Sequence, residues 1–128
     1  ILSYDEGTRS LMYANAAHHP LLVYRKASQA MEQVDTEGLP IGIDRGSVYR
    51  MKNVNLSAGD IAVLYTDGIT EARCEAGFFG ETRLVKAVEG LHGHPANDVP
   101  RIIFDEVVSH ANGALADDVA VLALSLRA

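Results

Sequence analysis

The sequence predicts an α+β domain, a sheet or sandwich with helices packed on one face. Three observations predict it. Short apolar runs bounded by turn residues outnumber helical patterns, the helical patterns are grouped late in the chain, and a nearly all-apolar run at 119–126 follows them. With 128 residues, 48% of them hydrophobic and 22% charged, the chain has the size of one domain and the composition of an ordinary globular protein with a real core.

Taken in order, Ile1 to Tyr4 and Leu11 to Ala16 flank the polar turn Asp5-Glu6-Gly7-Thr8, which predicts a hairpin. His18-His19-Pro20 interrupts that pattern, because Pro20 restricts His19 to extended geometry, and Leu21 to Tyr24 reads as the next strand. Ala30 to Val34 adds a short strand. Gly38-Leu39-Pro40-Ile41-Gly42-Ile43 interleaves glycine and proline with aliphatics and reads as a packed irregular loop. Val48 to Leu56 alternates with one break in register, a half-exposed antiparallel strand. Ser57-Ala58-Gly59-Asp60 then turns the chain into Ile61 to Tyr65, an apolar run too short for a helix and rich in strand-forming residues. After an irregular stretch through Phe79, a helix begins near Gly80, with Leu84, Val88 and Leu91 on one stripe and Gly90 and Gly93 at its end. A second helix, capped by Asn97 or Asp98 and tolerating Pro100 in its first turn, turns Val99, Ile102, Ile103 and Val107 toward a sheet. Val119 to Leu126 is predicted to be an interior strand.

Charge excludes several partners. The net charge is −6 and the basic residues are scattered, so the electrostatic footprint of a nucleic-acid-binding protein is missing. No apolar stretch approaches the roughly 18 to 20 residues that span a bilayer, so no membrane insertion by this segment is expected. The single cysteine, Cys74, has no partner for an internal disulfide, which fits a cytoplasmic location. The chain opens on Ile-Leu-Ser-Tyr, already inside a strand pattern, and is expected to be a piece of a longer protein.

The candidate chemistry is acidic. Thr66-Asp67-Gly68 closes the buried strand 61–65, and Asp117-Asp118 opens the strand at 119. Taken alone, each reads first as a plain turn. If the two strands are antiparallel neighbours, however, Asp67 and Asp117 converge at one sheet edge. Close like charges need a shared proton or a cation, and an all-carboxylate donor set suits a hard ion such as Mg²⁺ or Mn²⁺. Such an ion also reconciles an acidic protein with a phosphate-bearing substrate. Glu71, three residues after Gly68, is placed to reach the turn amides or a water on the ion. There is no Ser or Cys nucleophile with an evident base, no P-loop and no dinucleotide-binding glycine pattern.

YANAAHHPLLVY at 13–24, GLPIGI at 38–43, TDGITEA at 66–72, FFGETRL at 78–84 and ADDVAVLAL at 116–124 together resemble, in the same order, the metal-dependent PPM serine/threonine phosphatases of the bacterial SpoIIE-like branch. The resemblance runs from about residue 1 to 126. It implies an antiparallel β-sandwich flanked by helices, with the N-terminal half of the domain incomplete. It also implies two Mn²⁺ or Mg²⁺ ions and hydrolysis of phosphoserine or phosphothreonine on a regulatory protein of the anti-sigma-factor-antagonist type. Carried over by position, Asp67 and Asp117 are catalytic metal ligands and Asp118 a further or supporting one, with Thr66, Gly68 and Glu71 in support.

The branch's G-G-D and D-V-x-G-H-G stretches, which carry its other metal ligands, do not occur here. The 128 residues alone are therefore expected to bind divalent ions weakly and to have little activity. Ala17 stands where the branch usually has glycine, which implies a backbone position that accepts a Cβ, and His18 reads as a structural residue bonded to neighbouring strands. A non-catalytic domain of the same fold that binds a regulatory partner is the alternative reading, a self-contained β-rich domain with incidental acidic turns is a third, and a homodimer is left open.

Overall fold

The computed structural model describes residues 1–126. Two antiparallel sheets stack face to face, and three helices cover the outer face of the larger one. The smaller sheet has the order β1 (Leu2–Asp5), β2 (Ser10–Tyr13), β5 (Lys52–Asn55); the larger has the order β4 (Ala30–Val34), β3 (Leu21–Arg25), β6 (Ile61–Tyr65), β9 (Val121–Ser125). The helices are the single turn α1 (Asp67–Thr70), α2 (Gly80–Gly90) and α3 (Val99–His110). None is long and apolar enough to cross a membrane among the described residues.

Strand alternation divides the core in two. Leu21, Val23 and Ala62 point at the smaller sheet and pack with Leu11, Tyr13 and Val54, while Leu22, Tyr24, Ile61, Val63 and Tyr65 point at the helices. The helical side meets them with the stripe foreseen from the spacing: Leu84 and Val88 of α2, and Val99, Ile103 and Val107 of α3, are fully buried. Both faces of β3 and β6 are covered, so these strands are apolar at nearly every position.

Four expectations change. First, the run at 119–126 is not interior throughout: β9 pairs only with β6 among the described residues, and Leu122 is 56% exposed. Its apolar content reflects Val121 and Ala123 packing under the helices and Leu124 against the smaller sheet, not neighbours on both edges. Second, the strand expected over 48–56 shortens to β5, because its partner β2 supplies only four residues, Ser10 to Tyr13, and Val48 and Met51 project into solvent. Third, the glycine- and proline-rich loop is irregular as expected but not packed, with Leu39, Ile41 and Ile43 exposed. Fourth, the irregular stretch before α2 contains a small hairpin, β7 (Arg73–Cys74) with β8 (Gly77–Phe78), turned by Gly77 at φ 112°. At the start of α3 the chain does enter at Asp98, but that side chain makes no capping bond.

The turn into β6 is fixed by Asp60, which is buried. Its carboxylate accepts the Ser57 amide (3.0 Å), the Lys26 amide (2.9 Å) and the Arg25 guanidinium (3.0 Å). Burial pushes its pKa up, but the two amides and the Arg25 charge outweigh burial and hold it below the usual carboxylate value. A depressed carboxylate stabilises the fold above its unfolded value, near 3.8, and loses that contribution as pH falls through the folded value. Asp60→Asn is therefore expected to cost about 1.5 to 3 kcal/mol at neutral pH, the scale of a hydrogen bond to a charged group. Urea denaturation at pH 7 and pH 3 checks this: the gap between variant and parent should narrow at the lower pH.

Candidate active site

The site lies where β6 ends beside the start of β9. The two strands are antiparallel, and their ladder closes at Tyr65 opposite Val121. Beyond that pair, Thr66 extends the ladder with its side chain. Its amide donates to the Ala120 carbonyl (3.1 Å), and its hydroxyl accepts the Ala120 amide (3.0 Å) and donates to the Asp118 carbonyl (3.2 Å). The hydroxyl is thus spent on the neighbouring strand and does not cap α1. These bonds bring Asp67 and the Asp117-Asp118 pair, distant in sequence, to one rim.

Gly68 makes the approach close enough. It is buried, and a Cβ built on it would overlap the Asp118 carbonyl oxygen, so no larger residue fits between α1 and the segment leading into β9. The Asp-Gly pair is a strand-to-helix corner, not a hairpin turn. Asp67 itself is exposed; one of its oxygens accepts the Gly68 amide (3.0 Å). In the same manner, one oxygen of exposed Asp117 accepts the Asp118 amide (2.7 Å). Each carboxylate keeps its second oxygen for another partner, and no basic side chain forms an ion pair with either among the described residues. Glu71 ends α1, its amide donating to the Asp67 carbonyl (2.8 Å), and its side chain is exposed.

The donor set suits a hard divalent cation: oxygen ligands only, each side chain oriented by a local amide, on a rigid corner. It is also only part of a site. No group of three or more His, Cys, Asp or Glu side chains that could hold a metal occurs among the described residues.

The opposite wall of the rim carries residues that the sequence reading did not single out. Asn15 is buried, and its side chain closes a loop on itself. Its amide nitrogen donates to the His18 carbonyl (2.6 Å) and to Asp35 (2.7 Å), while its amide oxygen accepts the His18 backbone N–H (2.7 Å). Its own backbone amide donates to buried Thr36 (2.6 Å). The short-range half of this network is legible, since asparagine commonly bonds backbone a few residues on. The contact with Asp35, twenty residues away, has no local signal. His19 stacks on Tyr65 with ring centroids 5.0 Å apart. Burial, with Glu81 and Tyr13 adding to it, pushes the Tyr65 phenol up to about 12, so this ring carries no charge.

Ala17 sits at φ 59°, in the left-handed region. The position does accept a Cβ, as expected, but at a cost: the glycine usual in the branch matches a backbone that alanine adopts only under strain. Left-handed geometry costs a non-glycine residue about 1 to 2 kcal/mol, and glycine returns about 0.4 to 1 kcal/mol of that by loosening the unfolded chain. Ala17→Gly is expected to stabilise the fold by up to about 1 kcal/mol, read as a raised denaturation midpoint.

The family described as Stage II sporulation protein E (SpoIIE) matches residues 1–127. The chain belongs to the SpoIIE family. It is 29% identical over 122 residues to the phosphoserine phosphatase RsbU of Bacillus subtilis, covering 95% of this chain and 36% of that protein. Among solved structures, the PP2C phosphatase domain with a regulatory-domain fragment of B. subtilis SpoIIE superposes with a TM-score of 0.81 at 21% identity, over 97% of this chain and 37% of that one. The manganese-presoaked phosphatase domain of the same protein gives a TM-score of 0.77 at 17% identity, over 99% of this chain and 55% of that one. These likenesses establish the sandwich fold expected from the sequence. The chain spans only about a third of RsbU and about half of an isolated SpoIIE phosphatase domain.

Proposed function

We propose that the chain is the C-terminal portion of a metal-dependent phosphatase domain acting in the cytoplasm. In this reading the complete domain removes phosphate from phosphoserine or phosphothreonine on a regulatory protein of the anti-sigma-factor-antagonist type. The observation that carries the reading is the close approach of the Asp118 backbone to Thr66 and Gly68 across the β6–β9 corner, which supports a shared rim for the Asp67 and Asp117-Asp118 carboxylates, none of them ion-paired among the described residues. Mn²⁺ or Mg²⁺, two ions in the complete domain, would supply Lewis acidity to activate water and neutralise phosphoryl charge. Asp67 and Asp117 would hold the ion through their second oxygens, with Asp118 adjoining. Thr66 ties the two strands, Gly68 admits their close approach, and Glu71 stands at the end of the same turn. Holding a cation at this rim lets a protein of net charge −6 accept a phosphorylated partner.

Calorimetric titration of Mn²⁺ into the 128-residue chain is expected to show weak binding, with little hydrolysis of a phosphoserine peptide, because the rim lacks a third ligand among the described residues. The complete protein is expected to bind Mn²⁺ and hydrolyse the peptide. Tight two-site binding by the 128 residues would refute the half-site, and a complete protein inert toward phosphoserine in Mn²⁺ would refute the phosphatase.

A further inference from the structure

His18 is exposed and belongs to the lining of three adjoining hollows, the smallest of which, about 320 Å³, is closed on its other side by Thr66 and Asp67. Its backbone is gripped on both sides: the Asn15 amide oxygen takes its N–H, and the Asn15 amide nitrogen donates to its carbonyl. Asn15 is anchored in turn by Asp35 and Thr36, and the next residue, His19, is stacked on Tyr65, two positions before Asp67. The preceding residue, Ala17, is held in left-handed geometry. A buried amide clamp and a strained residue are a costly way to hold an exposed ring, and such strain persists where the surroundings over-determine a functional position. The ring is oriented as well. Nδ1 lies 3.2 Å from the His19 carbonyl, which can only accept, so Nδ1 donates and Nε2 is the ring's remaining polar atom.

We propose that His18 is a substrate-contacting residue, its ring in the imidazolium form, with Nδ1–H on the His19 carbonyl and Nε2–H donating to a phosphoryl oxygen of the phosphoserine or phosphothreonine bound at the Asp67 rim. The assignment rests on the phosphatase reading and deepens it: the carboxylate wall would face the ion, and the His18 wall would face the phosphoester. Clamping by Asn15 fixes the separation of the two walls, and the hollow between them is where a phosphoryl group would be held.

The test uses the complete protein and its His18→Ala and His18→Gln variants. With a phosphoserine peptide and Mn²⁺, His18→Ala is expected to lose about ten- to a hundredfold in kcat/KM, the scale of one hydrogen bond to a charged group. His18→Gln, whose amide can donate from a similar reach, should recover part of that. The Mn²⁺ concentration for half-maximal activity and the melting temperature should stay at their parent values. A second measurement needs no turnover: inorganic phosphate titrated into the Mg²⁺-loaded parent should shift the imidazole resonances of His18 and leave those of His92 in place. Full activity in His18→Ala, a loss matched by lost metal affinity or melting, or an unshifted His18 signal would each overturn the assignment. A parent inactive on every phosphoserine peptide would instead overturn the phosphatase reading, with the phosphate shift still deciding whether His18 meets the anion.

Discussion

Replacing Asp67 with asparagine in the complete protein is expected to lower Mn²⁺-dependent phosphopeptide hydrolysis by about a hundred- to a thousandfold, the cost of deleting one charge-stabilising contact in a catalytic site. Folding stability should change by less than about 0.5 kcal/mol. The two expectations come from the same geometry. Asp67 is exposed, and the one hydrogen bond of its side chain among the described residues is from the amide of the next residue, which an asparagine oxygen accepts equally well. The substitution therefore removes a negative charge from a rim that already holds Asp117, and loses nothing that the fold requires. Steady-state kinetics beside a urea denaturation curve separates the outcomes. Retained activity would remove Asp67 from the chemistry, and a large stability loss would show that its role is structural.

Gly68→Ala is expected to act in the opposite way, through packing. Alanine in place of glycine inside a helix usually gains about 0.5 to 1 kcal/mol. Here the added methyl would meet the Asp118 carbonyl oxygen, a backbone atom fixed by the Thr66 hydroxyl, and overpacking of a fixed site costs about 1 to 3 kcal/mol. The steric cost wins, so the variant should be less stable by about 1 to 2 kcal/mol, and activity should fall with it as the Asp117-Asp118 segment is pushed from the rim. Gly90→Ala is the control. That glycine lies in α2 with open space around its Cβ position, so alanine there should be neutral or stabilising. If Gly68→Ala behaves like Gly90→Ala, the close approach at the corner is not required.

Much of this arrangement is legible in the sequence. The stripes Leu84–Val88–Leu91 and Val99–Ile103–Val107 placed both helices, because a helix buries a face whose period is written in the chain. Asp67 and Asp117 stand at strand ends next to turn residues, and the antiparallel pairing of β6 with β9 expected of their strands is the one observed, with the Asp118 backbone against Thr66 and Gly68. What was missed shares one cause. The Asn15–Asp35 bond, the stacking of His19 on Tyr65 and the edge position of β9 all join residues far apart in sequence, and a local pattern carries no record of its distant partner. The strand expected from 48 was overextended for the same reason, since its length is set by β2 and not by its own alternation.

By itself, the sequence determined the class of fold, the two helices, the strand that carries Asp67 and the acidic chemistry of the rim, because periodicity, turn residues and charge act over a few neighbouring positions. Only the tertiary structure decided that Gly68 must be glycine, that Ala17 is strained and that His18 faces the same hollow as Asp67. Those facts depend on which backbone atoms arrive from elsewhere in the chain, and packing at van der Waals distance fixes that only once both sheets are assembled.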